Sequence, residues 1–293
     1  MANRLRSALR FGLLAAVALL VLGGFVYLWA SSRLSGPISV DAAAYSGPGD
    51  VSHGQALATQ TLICTECHGA DFGGKVVVDS APGVVIAPNL TSRRSFADWD
   101  RAIRHGVAAN GRPLVMMPSD GYSRLSVEDL RDLVAYLDQL PMVSREMQPT
   151  RLSPLGVLLA ATGAIHVPAL TLDHGSVEKT LERTPSATVP LARGTYLLDV
   201  SGCRGCHGQS FEGRSLGPDL PVAPALTSEA LEARGQPAFL GALTQGVRHD
   251  GATLHSVMPW RAFSTWPRED LDAVWVALTR PEGTMRVSRQ GAE

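Results

Sequence analysis

The chain is short of charge bias, aromatics and cysteine. Its 26 Lys and Arg nearly cancel 27 Asp and Glu, leaving a formal net charge of −1, so nothing marks it for nucleic acid or for a strongly steered acidic partner. Aromatic residues make up 6%, and only four cysteines occur among 293 residues. No segment reads as a long strand of alternating apolar and polar residues, so the expected fold class is all-α. The length permits two domains.

All four cysteines fall in two pentapeptides, Cys64-Thr-Glu-Cys67-His68 and Cys203-Arg-Gly-Cys206-His207. Each is a C-x-x-C-H, the attachment signature of a c-type haem. On a helical turn, residues i, i+3 and i+4 share one face. Both thiols then reach the two vinyl groups of one porphyrin while the adjoining imidazole meets the iron. A redox disulfide would need a βαβ setting that the sequence does not show. A zinc site would need the two pairs closer in the chain, and neither alternative explains a histidine after both pairs. The expected cofactors are two covalently bound haem c. They leave no thiol for structural disulfides, and each porphyrin supplies the apolar bulk that the few aromatics do not.

One long hydrophobic run stands out. Phe11 to Ala30 carries no charge and meets the roughly 20 residues needed to span a bilayer. Arg4, Arg6 and Arg10 precede it and only Arg33 follows closely, which keeps the N-terminus in the cytoplasm and sends the remainder outside. A signal peptide would have a shorter apolar core of about 7–15 residues and a small-x-small end. Tyr27-Leu28-Trp29-Ala30 suits an interfacial aromatic belt instead, so the run reads as an uncleaved anchor. The expected location is the bacterial cytoplasmic membrane, single-pass, with the haem units in the periplasm, where covalent haem attachment takes place.

The motifs anchor an internal repeat of roughly 140 residues. His68-Gly69-Ala70-Asp71-Phe72-Gly73-Gly74 parallels His207-Gly208-Gln209-Ser210-Phe211-Glu212-Gly213. Ala87-Pro88-Asn89-Leu90-Thr91 parallels Ala223-Pro224-Ala225-Leu226-Thr227, Gly111 answers Gly251, and Glu128-Asp129-Leu130 answers Glu269-Asp270-Leu271. Each copy ends in an amphipathic helix. Ser126 caps the first, with Leu130, Leu133, Val134 and Leu137 on one face before Pro141, and Leu271, Val274, Trp275 and Leu278 precede Pro281 in the second. A middle helix carries Phe96, Trp99 and Ile103, matched by Phe239, Leu240 and Leu243. The expected layout is a cytoplasmic N-terminus and anchor at 1–33, a flexible tether at 34–49, and a first haem domain at 50–142. An interdomain segment follows at 143–189, then a second haem domain at 190–282 and a tail at 283–293. A structureless segment as long as 143–189 is unusual in a compact protein, so its Leu155–Ile165 run should dock, on a haem domain before the membrane surface or a partner.

A haem iron takes a sixth ligand or stays open, and that choice separates carrier from enzyme. Met258 stands in a Met-Pro pair fifty-one residues after His207, and Met117 stands in the matching pair forty-nine after His68. Met116 is the competitor, but it aligns with Val257. The expected iron ligands are therefore His68 and Met117 in one copy, His207 and Met258 in the other. His53, His105, His166, His174, His249 and His255 have no histidine at a matched position and read as surface or satisfied histidines. Arg104 reads equally as a solvated helix face or as the partner of a haem propionate.

Both copies resemble the small monohaem cytochrome c domain: C-x-x-C-H, a Pro-x-Leu segment some twenty residues on, a distal Met and a terminal helix. That resemblance implies that the carbonyls of Pro88 and Pro224 accept hydrogen bonds from His68 and His207. The whole chain resembles membrane-anchored dihaem cytochromes that serve periplasmic dehydrogenases. This implies two tandem cytochrome c domains after one transmembrane helix, with redox proteins of the periplasm or membrane as partners. The expected function is not enzymatic. It is the relay of single electrons between a membrane or periplasmic donor and a respiratory acceptor. The alternative is a dihaem peroxidase or thiosulfate dehydrogenase with one openable haem, which methionine at both distal positions disfavours. A haem-based sensor or assembly module would carry a signalling domain, which is not expected beyond the two repeats.

Overall fold

The computed structural model describes residues 2–43, 45, 47–177, 182–217 and 220–280, so Pro281 and the expected tail lie outside the described residues. Helix α1 (Ala2–Ser35) leads, its stretch Gly12–Ser35 long and apolar enough to cross a membrane. The first unit contains α2 (Val51–Ala56), a π turn (Leu57–Thr61), α3 (Cys64–His68), strands β1 (Lys75–Ser80) and β2 (Gly83–Ala87), α4 (Phe96–Ile103), α5 (Ser119–Tyr122) and α6 (Val127–Leu137). The connecting segment forms β3 (Arg151–Leu152), α7 (Pro154–Ala161), a 3-10 turn (Pro168–Leu170) and α8 (His174–Val177). The second unit runs through α9 (Pro190–Val200), α10 (Cys203–His207), β4 (Arg214–Ser215), β5 (Val222–Ala223), α11 (Ser228–Glu232), α12 (Gln236–Gln245), α13 (Trp260–Phe263) and α14 (Arg268–Thr279).

The protein is mostly helical, 48% helix against 8% strand, but the all-α expectation needs correcting at residues 75–87. There β1 and β2 form an antiparallel hairpin from Lys75↔Ala87 to Ser80↔Gly83, and β3 adds a third strand through Gly83↔Leu152. Lys-Val-Val-Val and Gly-Val-Val-Ile are rich in β-branched residues, which suit a pleated surface. They do not alternate because alternation needs one buried and one wet face, and β1 has neither face buried.

Each unit is built on a helix crossing. In the first, α2 lies across α6; in the second, α9 lies across α14. Gly54 and Gly194 sit at the crossings, where an added Cβ would overlap the carbonyl oxygens of Asp132 and Ala273. Only glycine lets the backbones approach this closely. The two copies differ by one residue: Cys64 follows Gly54 by ten positions and Cys203 follows Gly194 by nine. The extra residue is absorbed by the π turn, closed by the Leu62 N–H donating to the Leu57 carbonyl at 2.8 Å. A single inserted residue accommodated without breaking a helix is how such turns arise. Beyond the motifs the backbones repeat. Phe72 and Phe211 both take left-handed conformations with φ of 56° and 60°, costly for a non-glycine residue. Each is pinned by the same pair of bonds, to Gly69 and Leu90 in one copy and to Gly208 and Leu226 in the other.

The two apolar cores interlock. The first gathers Leu62, Trp99, Leu125, Leu130 and Leu133, but also takes Tyr196 and Val200 from α9. The second gathers Leu198, Phe211, Phe239, Phe263 and Val274, with Ile63 of the first unit packed against it. The Tyr196 hydroxyl donates to Asp129 at 2.6 Å and accepts from the Ser126 N–H at 3.2 Å, all three residues being buried. A second bond between the units runs from the Trp266 indole N–H, which donates to the Gln60 carbonyl at 3.2 Å.

The segment expected to be a free tether is instead tied along the first unit. Ile38 N–H donates to the Gly111 carbonyl at 2.9 Å, Ala43 N–H to Asp100 at 2.6 Å, and Tyr45 meets the Phe96 ring with centroids 5.7 Å apart. These contacts join residues far apart in sequence, which local composition does not reveal.

Candidate functional site

The short helices α3 and α10 carry the two pentapeptides, so the turn that the spacing requires is present in both. Residues with φ of 47° (Ile63) and 77° (Gly202) start the turns, and Gly69 and Gly208 with φ of 82° and 90° end them. In each unit the chain then folds back, so that Gly74 N–H donates to the His68 carbonyl at 2.9 Å and Gly213 N–H to the His207 carbonyl at 2.8 Å.

His68 Nδ1 lies 2.8 Å from the Pro88 carbonyl oxygen, and His207 Nδ1 lies 2.8 Å from that of Pro224. A carbonyl only accepts, so the proton sits on Nδ1 and Nε2 of each neutral ring keeps its lone pair. Burial lowers both imidazole pKa values, which favours that neutral form. This arrangement fixes ring orientation and raises basicity at the ligating nitrogen.

Burial pushes the Cys64 thiol pKa up to about 12 and raises those of Cys67, Cys203 and Cys206 as well. All four are free. The two pairs stay in separate units, and among the described residues no cluster of three or more His, Cys, Asp or Glu is arranged to hold a metal ion.

The methionines fall where the repeat puts them. Met117 and Cys64 both pack against the first core, and Met258 and Cys203 both pack against the second. Met116 has a φ of 67° and its side chain is turned outward, 46% exposed. In the second unit one apolar cavity is lined by Cys203, His207, Leu226, Met258, Phe263 and Trp266. Thiol, imidazole and thioether on the wall of one water-poor cavity fit a c-type haem.

Three features here were not visible in the sequence. Arg104 is buried with its Nε on the Asp100 carboxylate, so it is not a solvated helix face. Asn89 Nδ2 donates to the Val143 carbonyl at 2.8 Å while its Oδ1 accepts from Thr91 N–H at 2.9 Å, tying down the start of the connecting segment. Ala225 at the matched position cannot do this. Finally, His105 stacks on His174 with Nδ1 atoms 3.1 Å apart.

The His105 pair has a defined proton arrangement. His174 Nε2 faces the Ala169 carbonyl at 3.1 Å, so it carries a proton and its Nδ1 accepts from His105 Nδ1. That leaves His105 Nε2 bare and buried, with no hydrogen-bond partner among the described residues. Burial, only partly offset by the Asp100 charge, holds the His105 pKa at about 4 against an ordinary 6.5. The unfolded chain therefore binds this proton first as pH falls. Stability is intact above about pH 6.5 and declines as the pH falls below it. Gln245 occupies the matched position in the second copy. His105→Gln should flatten the fall in thermal midpoint between pH 7 and pH 4.5; an unchanged slope would assign the acid sensitivity elsewhere.

Comparison with known proteins agrees with this geometry. Residues 49–137 match the family model described as Cytochrome C oxidase, cbb3-type, subunit III. The chain is 29% identical over 189 residues to the alcohol dehydrogenase (quinone) cytochrome c subunit of Gluconacetobacter polyoxogenes, covering 60% of this chain and 36% of that protein. It is 29% identical over 174 residues to the gluconate 2-dehydrogenase cytochrome c subunit of Pantoea cypripedii, covering 54% and 37%. It is 28% identical over 159 residues to a diheme cytochrome c-type protein of Cereibacter sphaeroides, covering 48% and 52%. The matches thus span about a third to a half of the relatives' lengths. The chain carries a c-type cytochrome domain, which implies covalently bound haem c.

Proposed function

We propose that this c-type cytochrome chain is a membrane-anchored, dihaem electron relay built from two tandem cytochrome c domains. His68 and Met117 would hold one iron, His207 and Met258 the other, with thioether links from Cys64, Cys67, Cys203 and Cys206. Pro88 and Pro224 would orient the proximal rings. The observation that carries this reading is the repetition of one constellation in two units: a buried imidazole donating to a proline carbonyl at 2.8 Å, with cysteine and methionine of the same repeat against the same core.

Haem supplies reversible one-electron chemistry, and the protein sets its potential through ligation, burial and hydrogen bonding. The apolar cores keep water away. The proximal carbonyls raise imidazole basicity, and the thioethers of Met117 and Met258 would favour the reduced state of a haem held there. The interlocked cores, with Tyr196 in the first and Ile63 against the second, hold the units in one relation. Electrons would pass between units and then to an acceptor in the periplasm. The relatives' names associate those proteins with alcohol and gluconate dehydrogenases. A membrane or periplasmic dehydrogenase is the donor class that fits this chain.

Haem counting tests the reading. Full-length protein matured with haem should hold two covalent haems and take up two electrons. Replacing Cys203 and Cys206 together by serine should remove one haem and one electron. A single haem in the parent chain would overturn the dihaem reading.

A further inference from the structure

We infer that α7 is a second membrane contact, seated in the outer acyl–headgroup boundary beside α1, so that the first unit rests on the bilayer; this rests on the reading of α1 as an anchor. The sequence of α7, Pro154-Leu-Gly-Val-Leu-Leu-Ala-Ala161, contains no polar side chain. A helix apolar on every face belongs in a core or in lipid. Only one side is covered: Gly156, Ala160 and Ala161 are buried, whereas Leu155 and Leu158 are 53% and 37% exposed. The run is too short to cross a bilayer, and apolar segments of this length that are not buried lie at or in the interface.

Its position selects the lipid surface as occupant. α7 packs on α1, and among the described side chains of α1 burial is confined to the last turns, at Val26, Ala30, Ser31 and Leu34. Val26, Ala30 and Leu34 share one face at i, i+4 spacing. At about 1.5 Å per residue, about 20 residues fill a hydrocarbon core of about 30 Å. Counted from Gly12, that core ends at Ser31. Whatever packs at Ala30 therefore lies at the membrane boundary, level with Tyr27 and Trp29.

The helix ends suit a place poor in water. Ser153 Oγ accepts from Gly156 N–H at 3.2 Å, and Ser153 N–H donates to the Pro82 carbonyl at 2.9 Å. At the other end Thr162 Oγ1 donates to the Leu158 carbonyl at 2.9 Å, and Ile165 N–H to the Leu159 carbonyl at 3.0 Å. Backbone groups at this depth must be satisfied within the protein. Because β3 and the Pro82 turn attach α7 to the β-hairpin, and Ile38 and Ala43 tie the chain after α1 to the same unit, the first haem unit is fixed at two points.

The test uses full-length haem-loaded protein in nanodiscs of ordinary and of acyl-brominated lipid. Bromine quenches tryptophan emission on contact, and the component lost on Trp29→Phe, separated from that of the other four tryptophans, reports on α1. In a Trp29→Phe background, Leu155→Trp and Leu158→Trp should each add a component quenched as strongly as Trp29 is in the parent. Quenching of Trp29 with none at 155 and 158 would overturn the inference and make the exposed leucines a protein-docking face. No quenching of Trp29 itself would remove the anchor reading and this inference with it.

Discussion

Gly194→Ala should disable both haem units, whereas Gly54→Ala should disable chiefly the first. At both sites the new methyl would overlap a backbone oxygen of the partner helix, Ala273 or Asp132. A backbone oxygen within a helix cannot rotate aside as a side chain can. Overpacking usually costs 1–3 kcal/mol, and at such rigid sites about 3 kcal/mol or more is expected, out of a total stability of about 5–15 kcal/mol. The asymmetry comes from α9. It supplies the crossing with α14 and also sends Tyr196 and Val200 into the first core. Displacing α9 thus pulls Tyr196 away from the buried Asp129, whereas among the described residues the second core takes none from α2. Thermal melts monitored at the two haems separate the cases. Equal and independent losses would mean that the cores do not share α9, as the sequence-based boundary at residue 190 suggests.

Met117→Ala and Met258→Ala should each lower the potential of one haem by about 0.1 V or more, within the span of about 0.8 V that axial ligands command. Since about 59 mV is tenfold for one electron, such a shift would change the electron distribution between the haems about fiftyfold and stall the relay at one site. Met116→Ala is the comparison. Its side chain faces outward while Met117 lies against the first core, so it should leave both potentials where they are. Spectroelectrochemical titration of the three variants reads this directly. A shift with Met116→Ala and none with Met117→Ala would move the ligand by one residue and break the register of the repeat.

The repeat was the most legible part of the chain. Motif spacing placed both C-x-x-C-H turns, both middle helices and both terminal helices, with Ser126 capping α6 by accepting from Asp129 N–H at 3.0 Å. Even the π turn has a trace in the sequence, as ten residues against nine between the crossing glycine and the first cysteine. The hairpin at 75–87 was missed because its β-branched run lacks alternation, although Val-Val-Val and Val-Val-Ile around Ala81-Pro82 were a usable signal. The His105–His174 stack and the contacts of Ile38, Ala43 and Tyr45 join residues that no local period connects, whereas Arg104 and Asp100 pair at i,i+4 and only their burial escapes the local pattern. The exchange of Tyr196 into the first core is of the same kind: an inward-facing residue looks identical whichever core receives it.

The central claim is that methionine closes both irons, and carbon monoxide tests it most directly. Full-length haem-loaded protein, fully reduced, should show no change in either haem spectrum when carbon monoxide is added at neutral pH. A stoichiometric shift at one haem would show an accessible iron, contradict the closed relay, and make a small ligand such as peroxide or thiosulfate the next substrate to try.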